Sequence, residues 1–336
     1  MIVKERSIPV YIHKLESLLR RLSNTHHKRS KIEEDLGKRL AGYKGEQRID
    51  YPLSFLPEKD YSILHDVRLF DGTHYFQMDT IILSNCFILI LEVKNIAGSL
   101  YFDSDFNQLI RTLNEKEEPF PDPISQVERQ QYQLLRWLRI QKFNHIPIET
   151  LVVISSSNAI LTTSPNNRQV YEKVILSSKL PAQINKFLKI HPQSAMDEKT
   201  LAKLTKKIVK CHTPQTIDIL NQFSISKNEL IKGVLCTGCR LTMNRERGKW
   251  VCTTCHHRSN EAHIESLLDY SLLISPIITN REARGFLNIT SSEISKNLLK
   301  SLDLPFTGNN KSRSYNLSSL QKKHPPTKRM QNENKI

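Results

Sequence analysis

Apolar residues recur at helical spacing over the first fifty positions, and charged residues fill most of the positions between them. The polar stretch 23–30 divides these positions into two runs. Residues that repeat every three or four positions share one face of a helix, so the pattern predicts two amphipathic helices. Their apolar faces carry Leu15, Leu18, Leu19, Leu22, Ile32, Leu36 and Leu40.

The period changes after Tyr61, where β-branched and aromatic residues dominate. The turn pairs Asp71-Gly72 and Ser84-Asn85 interrupt them, which predicts three strands in an antiparallel meander. A second hairpin is predicted to follow the meander. The predicted strands are 63–69, 75–84 and 86–94, and then 98–102 and 108–113 of the hairpin.

A further helix is predicted to begin at Asp122-Pro123, because an aspartate caps a first turn well and a proline suits the first helical position. A buried strand is predicted over 151–154 and another strand over 170–176. Strand, helix and buried strand in this order are typical of an α/β domain. The helix is predicted to turn inward Ile124, Val127, Tyr132, Leu134, Leu135 and Leu138.

Composition adds a strong positive charge to this picture. The chain has 49 Lys and Arg against 34 Asp and Glu, a formal charge of +15, which favours nucleic acid as the partner. A soluble protein with a merely basic surface is the alternative. No apolar run reaches the roughly 18 residues of a membrane span, and no secretory signal is visible, so we expect no membrane partner and a cytoplasmic location.

The densest chemical pattern lies on the second and third strands of the predicted meander, which carry Asp79, Glu92 and Lys94. Strand side chains alternate, so Glu92 and Lys94 share a face, and pairing of the strands brings Asp79 near Glu92. Two carboxylates can hold Mg²⁺ or Mn²⁺, and the lysine can act on a metal-bound water, as phosphodiester hydrolysis requires. The alternative is an ordinary salt bridge, although charges within apolar strands are costly unless they pair or coordinate.

Four short motifs, in this order, resemble the nuclease-related domain known as NERD over about residues 35–155. They are Tyr43-Lys44-Gly45-Glu46, Phe76-Gln77-Met78-Asp79, Leu91-Glu92-Val93-Lys94-Asn95 with Gly98, and Pro123-Ile124-Ser125-Gln126. The spacing of Asp79 and Glu92-x-Lys94 is also that of the PD-(D/E)xK nucleases, although Met78 stands where that pattern has proline. The resemblance implies a restriction-endonuclease-like α/β fold, a mixed sheet flanked by helices, with Asp79, Glu92 and Lys94 as the core of the active site.

Two further residues join this predicted catalytic set. Glu46 resembles the carboxylate that many of these nucleases add to the metal site from a helix; its alternative is a solvated helix charge. Gln126 lies in the first turn of the predicted helix, where unpaired N–H groups suit a phosphate. We expect it to bind the phosphate backbone or to order a water, and the alternative is a capping glutamine.

Two Cys-x-x-Cys pairs, Cys236 with Cys239 and Cys252 with Cys255, stand twelve residues apart. Each pair can form a knuckle around one tetrahedral Zn²⁺, so we predict a structural zinc ribbon, with free thiols or a redox pair as the alternative. The intervening loop holds Trp250 and basic residues that would suit nucleic acid, unless it is only a solvated turn. The basic residues are Arg240, Arg245, Arg247 and Lys249.

The S/T-x-x-E capping-box pattern begins at Thr279 and again at Thr290, which predicts two helices whose starts lie about eleven residues apart. A short turn between them would make a helix-turn-helix, with a basic wing over 308–317. A helical hairpin that only packs on the ribbon is the alternative. The exposed start of the second helix would carry Ser291, Ser292, Ser295 and Lys296, and we expect Ser292 and Lys296 to contact nucleic acid.

The sequence therefore predicts a metal-dependent nuclease that acts on DNA first and RNA second, with the ribbon and the helix pair binding nucleic acid. The alternatives are a non-catalytic DNA-binding or scaffold protein and a zinc-ribbon accessory factor of transcription or replication. The predicted segments are 1–34 (helical), 35–155 (nuclease-related), 156–230 (α/β extension and linker), 231–260 (zinc ribbon), 261–318 (helix-turn-helix, winged-helix-like) and 319–336 (disordered basic tail).

Overall fold

The computed structural model describes residues 1–165, 167–309 and 312–323. The chain forms two compact units. Unit 1 contains Met1–Ile8 and Arg39–Thr216, and unit 2 contains Pro9–Lys38 and Ile217–Ile336. Of the predicted helical segment 1–34, residues 1–8 lie in unit 1 and residues 9–34 lie in unit 2.

The helices and strands have the following bounds. The helices are α1 (Val10–Arg21), α2 (Arg29–Gln47), α3 (Asp50–Leu53), α4 (Pro123–Ile140), α5 (Arg168–Lys173), α6 (Leu180–Ile190), α7 (Glu198–Cys211), α8 (Ile219–Gln222), α9 (Ala262–Leu273), α10 (Asn280–Leu287), α11 (Ser292–Ser301) and α12 (Ser318–Lys323). The strands of unit 1 are β1 (Ile2–Lys4), β2 (Ser62–Phe70), β3 (Tyr75–Leu83), β4 (Ile88–Lys94), β5 (Gly98–Asp103), β6 (Gln108–Leu113), β7 (Lys116–Pro121), β8 (Ile148–Ile154), β9 (Ala159–Thr163) and β10 (Val174–Leu176). Those of unit 2 are β11 (Val234–Leu235), β12 (Thr242–Glu246), β13 (Lys249–Val251), β14 (Arg258–Ser259), β15 (Ile277–Thr279), β16 (Phe306–Thr307) and β17 (Ser314–Asn316).

Unit 1 is built on a six-stranded mixed sheet in the order β1-β2-β3-β4-β8-β10. The predicted meander is present as the antiparallel strands β2, β3 and β4, and β8 lies parallel to β4 after the crossover through α4. Buried side chains cover both faces of this sheet, for example Ile90 with Trp137 on one face and Leu89 with Phe187 on the other. The predicted mixed α/β fold is confirmed.

A second sheet in unit 1 has the order β7-β6-β5-β9. The predicted hairpin forms its centre as β5 and β6, which pair antiparallel. Strand β7 extends this hairpin and leads to Asp122, whose carboxylate accepts hydrogen bonds from the N–H groups of Ile124 and Ser125. The predicted N-terminus of α4 is thus confirmed.

Two predictions about unit 1 are wrong. The stretch 170–176 is only partly a strand, because the Asn167 side chain accepts a hydrogen bond from the Val170 N–H and caps α5 before β10 begins. Tyr132 does not face the core and is 62% exposed. The buried positions of α4, among them Val127, Gln130 and Leu134, follow a helical stripe that leaves Tyr132 on the opposite side.

Unit 2 contains the antiparallel sheet β11-β12-β13-β14 and the smaller sheet β15-β17-β16. One apolar core includes Trp250 of the first sheet, Leu267 of α9 and Phe286 of α10. The chain is helical over Ser318–Lys323, where the sequence predicts the start of a disordered tail, and Leu320 is buried there. The rest of that predicted tail, 324–336, lies outside the described residues.

Within the described part of the chain, no helix combines the length and the apolar character that a membrane span requires.

Candidate functional site

Strands β3 and β4 bring Asp79, Glu92 and Lys94 together at one end of the large sheet. The carboxylate of Asp79 accepts a hydrogen bond of 2.9 Å from the backbone N–H of Val93. The Lys94 Nζ donates to Glu92 Oε1 at 2.7 Å, and Glu92 is only 3% exposed. The convergence that strand alternation and pairing predict is therefore present in the fold.

Helix α4 contributes two glutamines to this cluster. Gln126 Oε1 accepts from Lys94 Nζ at 3.0 Å, and Asp122, not Gln126, caps the helix. Gln130, one turn later and 4% exposed, donates from Nε2 to Glu92 Oε2 and to the backbone oxygen of Gln77, both at 2.9 Å. Because both partners are acceptors, the amide orientation is determined, and Gln130 Oε1 is left buried without a hydrogen-bond partner.

Sequence reasoning missed Gln130, although a signal was present. A glutamine between Val127 and Leu134 on the buried stripe of α4 is a polar group that needs a partner. Its spacing of four residues from Gln126 also places the two amides on one face of the helix.

Helix α2 carries Glu46 to the same end of the sheet, and Gly45 permits the close approach. A Cβ atom on Gly45 would lie 2.2 Å from the Cβ of Asn95. Asn95, which follows β4, donates to the Ala41 backbone oxygen at 2.7 Å and accepts from Arg48 at 3.0 Å. These hydrogen bonds hold α2 against the end of β4, where the acidic cluster lies.

Arg6, which follows β1, is a second residue that sequence reasoning missed. Its side chain is 5% exposed and donates to Glu46 Oε2 at 2.8 Å and to Asp50 Oδ1 at 3.1 Å. It also lies 2.9 Å from His65 Nδ1. Burial, together with Arg6 and Lys4, lowers the pKa of His65 to about 3, so this imidazole stays neutral. No local pattern identifies Arg6, because the pairing of β1 with β2 brings it to the cluster.

Comparison with known protein families places this cluster in context. The family model described as the nuclease-related domain, NERD, matches residues 41–155. The chain contains a nuclease-related domain. The match covers Glu46, Asp79, Glu92, Lys94 and Gln126, so all the predicted catalytic residues lie inside it. No curated protein and no solved structure matches the chain.

The carboxylates of the nuclease-related domain are held close enough to repel one another. Burial, followed by the charges of Glu92 and Glu46, raises the pKa of Asp79 well above its ordinary value. Burial also raises the pKa of Glu46 to about 7, with Asp66 and Glu92 adding to the effect and Arg6 opposing it. A hard divalent cation would offset this repulsion, and the donors are carboxylate oxygens of the kind that Mg²⁺ and Mn²⁺ take. The donors are thus of the chemical type that such an ion takes, and binding it would require Glu92 and Glu46 to exchange their present partners.

Unit 2, outside the nuclease-related domain, holds the predicted cysteine cluster. The Sγ atoms of Cys236, Cys239, Cys252 and Cys255 all lie within 4.8 Å of one another. The two knuckles match: in each, the residue after the second cysteine has a positive φ and donates its N–H to the first cysteine's oxygen at 3.0 Å. Backbone N–H groups, first that of Cys255, lower the pKa of Cys252 to about 6, whereas the effect of the His257 N–H on Cys255 is outweighed by hydrogen bonds with the other three thiols, which raise the pKa of Cys255 to about 12. This cluster can hold Zn²⁺ in a small ribbon.

The basic residues of the ribbon do not all face solvent in the same way. Arg240 contacts Glu265 at 3.3 Å, and the Arg245 guanidinium lies 5.0 Å from the centre of the Trp250 ring. Arg247 and Lys249 are exposed at the turn between β12 and β13. Of the four predicted contacts, these last two are the most available to a phosphate.

The predicted helix pair is present as α10 and α11, each with a side-chain cap. Ser292 is exposed and hydrogen-bonded to Asn280 at 3.2 Å, and Lys296 is exposed and lies 3.3 Å from Glu293. Ser295 is fully buried, so the expectation that it lies on the exposed surface of the helix is wrong. Its position one turn before Leu299 places it on the packing face.

Proposed function

We propose that this chain is a metal-dependent nuclease that hydrolyses phosphodiester bonds at the cluster of Asp79, Glu92 and Lys94. The observation that carries the proposal is the meeting of two carboxylates and an ammonium group at one sheet end inside a nuclease-related domain. Charged groups at such a place are costly unless they coordinate or pair, and the raised pKa of Asp79 reflects that cost.

Each side chain of the cluster has a distinct part in this proposal. Asp79 and Glu92 hold Mg²⁺ or Mn²⁺, with Glu46 assisting from α2. The bound ion would stabilise the negative charge that develops on the scissile phosphate. Lys94, held by Glu92 and Gln126, directs its ammonium protons to the attacking water or to a phosphate oxygen.

Gln126 is suited to assist because of its orientation. Its Oε1 accepts from Lys94, so its Nε2 can donate to a phosphate oxygen of the substrate. The high positive charge of the chain supports a nucleic-acid substrate, DNA before RNA. In unit 2, the proposal assigns Zn²⁺ a structural role and assigns phosphate contacts to Arg247 and Lys249, with Arg240 and Arg245 beside them and Ser292 and Lys296 on α11.

The test is cleavage of supercoiled plasmid and of single-stranded DNA by the purified full chain with Mg²⁺ or Mn²⁺. We expect wild type to cut and Asp79→Ala, Glu92→Ala and Lys94→Ala to lose at least about 100-fold in rate, as removal of an essential catalytic group does. Asp105→Ala and Glu117→Ala are matched controls, because they remove exposed carboxylates of the same unit outside the cluster. Wild type that binds DNA and never cuts it would refute the proposal.

One observation favours a non-catalytic alternative, in which the domain only binds nucleic acid. Both carboxylate oxygens of Glu92 already have partners, and Glu46 is paired with Arg6. A binding module would need no exchange of these partners for metal. Calorimetric titration with Mn²⁺ separates the two functions. Only the nuclease requires wild type to bind Mn²⁺ and the Asp79→Ala variant to lose that binding.

A further inference from the structure

The last part of unit 2 has an order of helices and strands that is typical of one kind of small domain. Helix α9 is followed by β15, then α10 and α11, then β16 and β17, and the three strands pair in the order β15-β17-β16. A three-helix core backed by a small antiparallel sheet of this order is a winged-helix arrangement, in which the second helix of the helix-turn-helix is the reading element.

The three helices pack through one apolar core, so the arrangement is a stable body. The rings of Tyr270 in α9 and Phe286 in α10 lie 5.2 Å apart in edge contact. Leu299 of α11 and Ile278 of β15 are buried in the same core. The turn between α10 and α11 is set by Asn288 in the left-handed region and by hydrogen bonds between Asn280 and Ser292.

Helix α11 divides cleanly into a packing face and an exposed face. Ser295, Leu298 and Leu299 are buried. The exposed face carries hydroxyl and amide side chains, two lysines, one glutamate and one aliphatic residue, and no aromatic ring. Its members are Ser292, Glu293, Ile294, Lys296, Asn297, Lys300 and Ser301.

The hairpin of β16 and β17 presents a second cationic element. The Arg313 guanidinium lies 4.3 Å from the centre of the exposed Phe306 ring. Stacking on the ring restricts this half-buried arginine and holds its positive charge beside β17, although its Nε is itself buried without a hydrogen-bond partner. Between the two strands, the Ser312 hydroxyl donates to the Asn309 backbone oxygen at 2.8 Å.

We propose that unit 2 binds duplex DNA, with α11 in the major groove and the hairpin of β16 and β17 on the neighbouring sugar-phosphate backbone. This inference deepens the proposed function, on which it rests for the role of DNA as substrate, and it names duplex DNA as the substrate class. Lys296 and Lys300 provide charge complementarity to phosphate, and Asn297 has the amide that reads adenine edges.

The dimensions and the side chains favour a DNA duplex over other nucleic acids. An α-helix with its side chains is about 10–12 Å across, so α11 can enter the major groove of B-form DNA, which is roughly 12 Å wide. The deep and narrow major groove of A-form RNA does not admit a helix. Single strands are held mainly by aromatic stacking, and the exposed face of α11 has no ring.

The experiment measures binding by fluorescence anisotropy with the full-length Asp79→Ala chain in buffer without divalent metal. The probes are a labelled 24-base-pair DNA duplex, its single strand and an RNA duplex of the same sequence. We expect the DNA duplex to bind at least about 10-fold more tightly than the other two probes. The double variant Lys296→Ala/Lys300→Ala should weaken duplex binding about 10-fold and reduce the slope of log affinity against log salt by about 2.

The chain offers a matched control for this double variant. Lys206 and Lys210 are exposed on α7 with the same four-residue spacing, so Lys206→Ala/Lys210→Ala removes the same charge from a different helix. Equal losses in the two double variants, or equal binding of the RNA duplex, would overturn the inference. If wild type cleaves DNA while the α11 variant binds normally, only the inference fails; if the duplex binds through α11 and is never cut, only the proposed nuclease function fails.

Discussion

At the scale of the residue, Gln130 is the side chain whose contacts most directly orient the proposed metal site. Its Nε2 donates to Glu92 Oε2, an oxygen of a proposed metal ligand, and to the Gln77 backbone oxygen. We expect Gln130→Ala to weaken Mn²⁺ binding about 10- to 100-fold, as loss of a group that orients a ligand does. The measurement is calorimetric titration of the full chain with Mn²⁺.

The same helix contains the control for Gln130. Gln133 donates to the carboxylate of Asp71 at 3.3 Å, so Gln133→Ala removes a comparable amide from α4 away from the cluster. Its Mn²⁺ affinity should equal that of wild type. An unchanged affinity in Gln130→Ala, or an equal decrease in both variants, would show that Gln130 has no orienting role.

Glu46 gives a prediction about pH. Its pKa is about 7 in the folded chain against an ordinary value of 4.5, so the folded state retains this proton over a pH range in which the unfolded state releases it. The free energy of unfolding of the metal-free chain should therefore decrease as pH rises from about 4.5 to 7, by at most about 3 kcal/mol. Chemical unfolding over this range should show a flatter pH profile for Glu46→Gln, and Glu117→Gln should keep the profile of wild type. A stability that increases with pH would instead mean that Arg6 keeps Glu46 ionised.

At the scale of the element, local sequence patterns predict those helices, strands and caps that are determined by residues close together in the chain. The meander, the cap at Asp122 and the capping box of Thr279 on α10 follow from alternation and capping, which act within a few residues. The second capping box, predicted to begin at Thr290, is wrong by one residue, because Ser291 caps α11 by accepting from the Ile294 N–H. The stretch 170–176 was mistaken for one strand because its apolar residues fit either period, and the cap at Asn167 decides for a helical turn first.

The residues of the candidate site also differ in whether local sequence patterns predict their positions. Asp79, Glu92 and Lys94 could be predicted to converge because they lie on consecutive paired strands. Arg6 could not, because its place beside Glu46 depends on the pairing of β1 with β2, some sixty residues apart in sequence. Likewise, the sequence shows Gly45 as part of a family motif. Why a glycine is needed there is clear only from the fold, because a Cβ atom at this position would clash with Asn95, which is distant in sequence.

At the scale of the whole molecule, we expect loss of zinc to destabilise unit 2 and to leave unit 1 unchanged. Cys236 and Cys252 belong to the same buried core as Leu267, Phe286 and Leu299, so the cysteine cluster and helices α9 to α11 share their apolar contacts. Zinc bound by four thiolates contributes directly to the free energy of folding of such a small element. Removal of zinc should therefore loosen not only the ribbon but also α10 and α11.

Hydrogen exchange on the full chain, resolved by peptide, tests this expectation. After treatment with a zinc chelator, or in Cys252→Ser, amides of α9, α10 and α11 should lose protection, while those of β4 and β8 in unit 1 keep it because their core contains no cysteine of the cluster. Cys211→Ser, which changes a thiol of unit 1 outside the cluster, should retain both the zinc content and the protection of wild type. Undiminished protection of α10 and α11 in zinc-free protein would show that these helices remain folded without zinc. Duplex binding would then be independent of zinc.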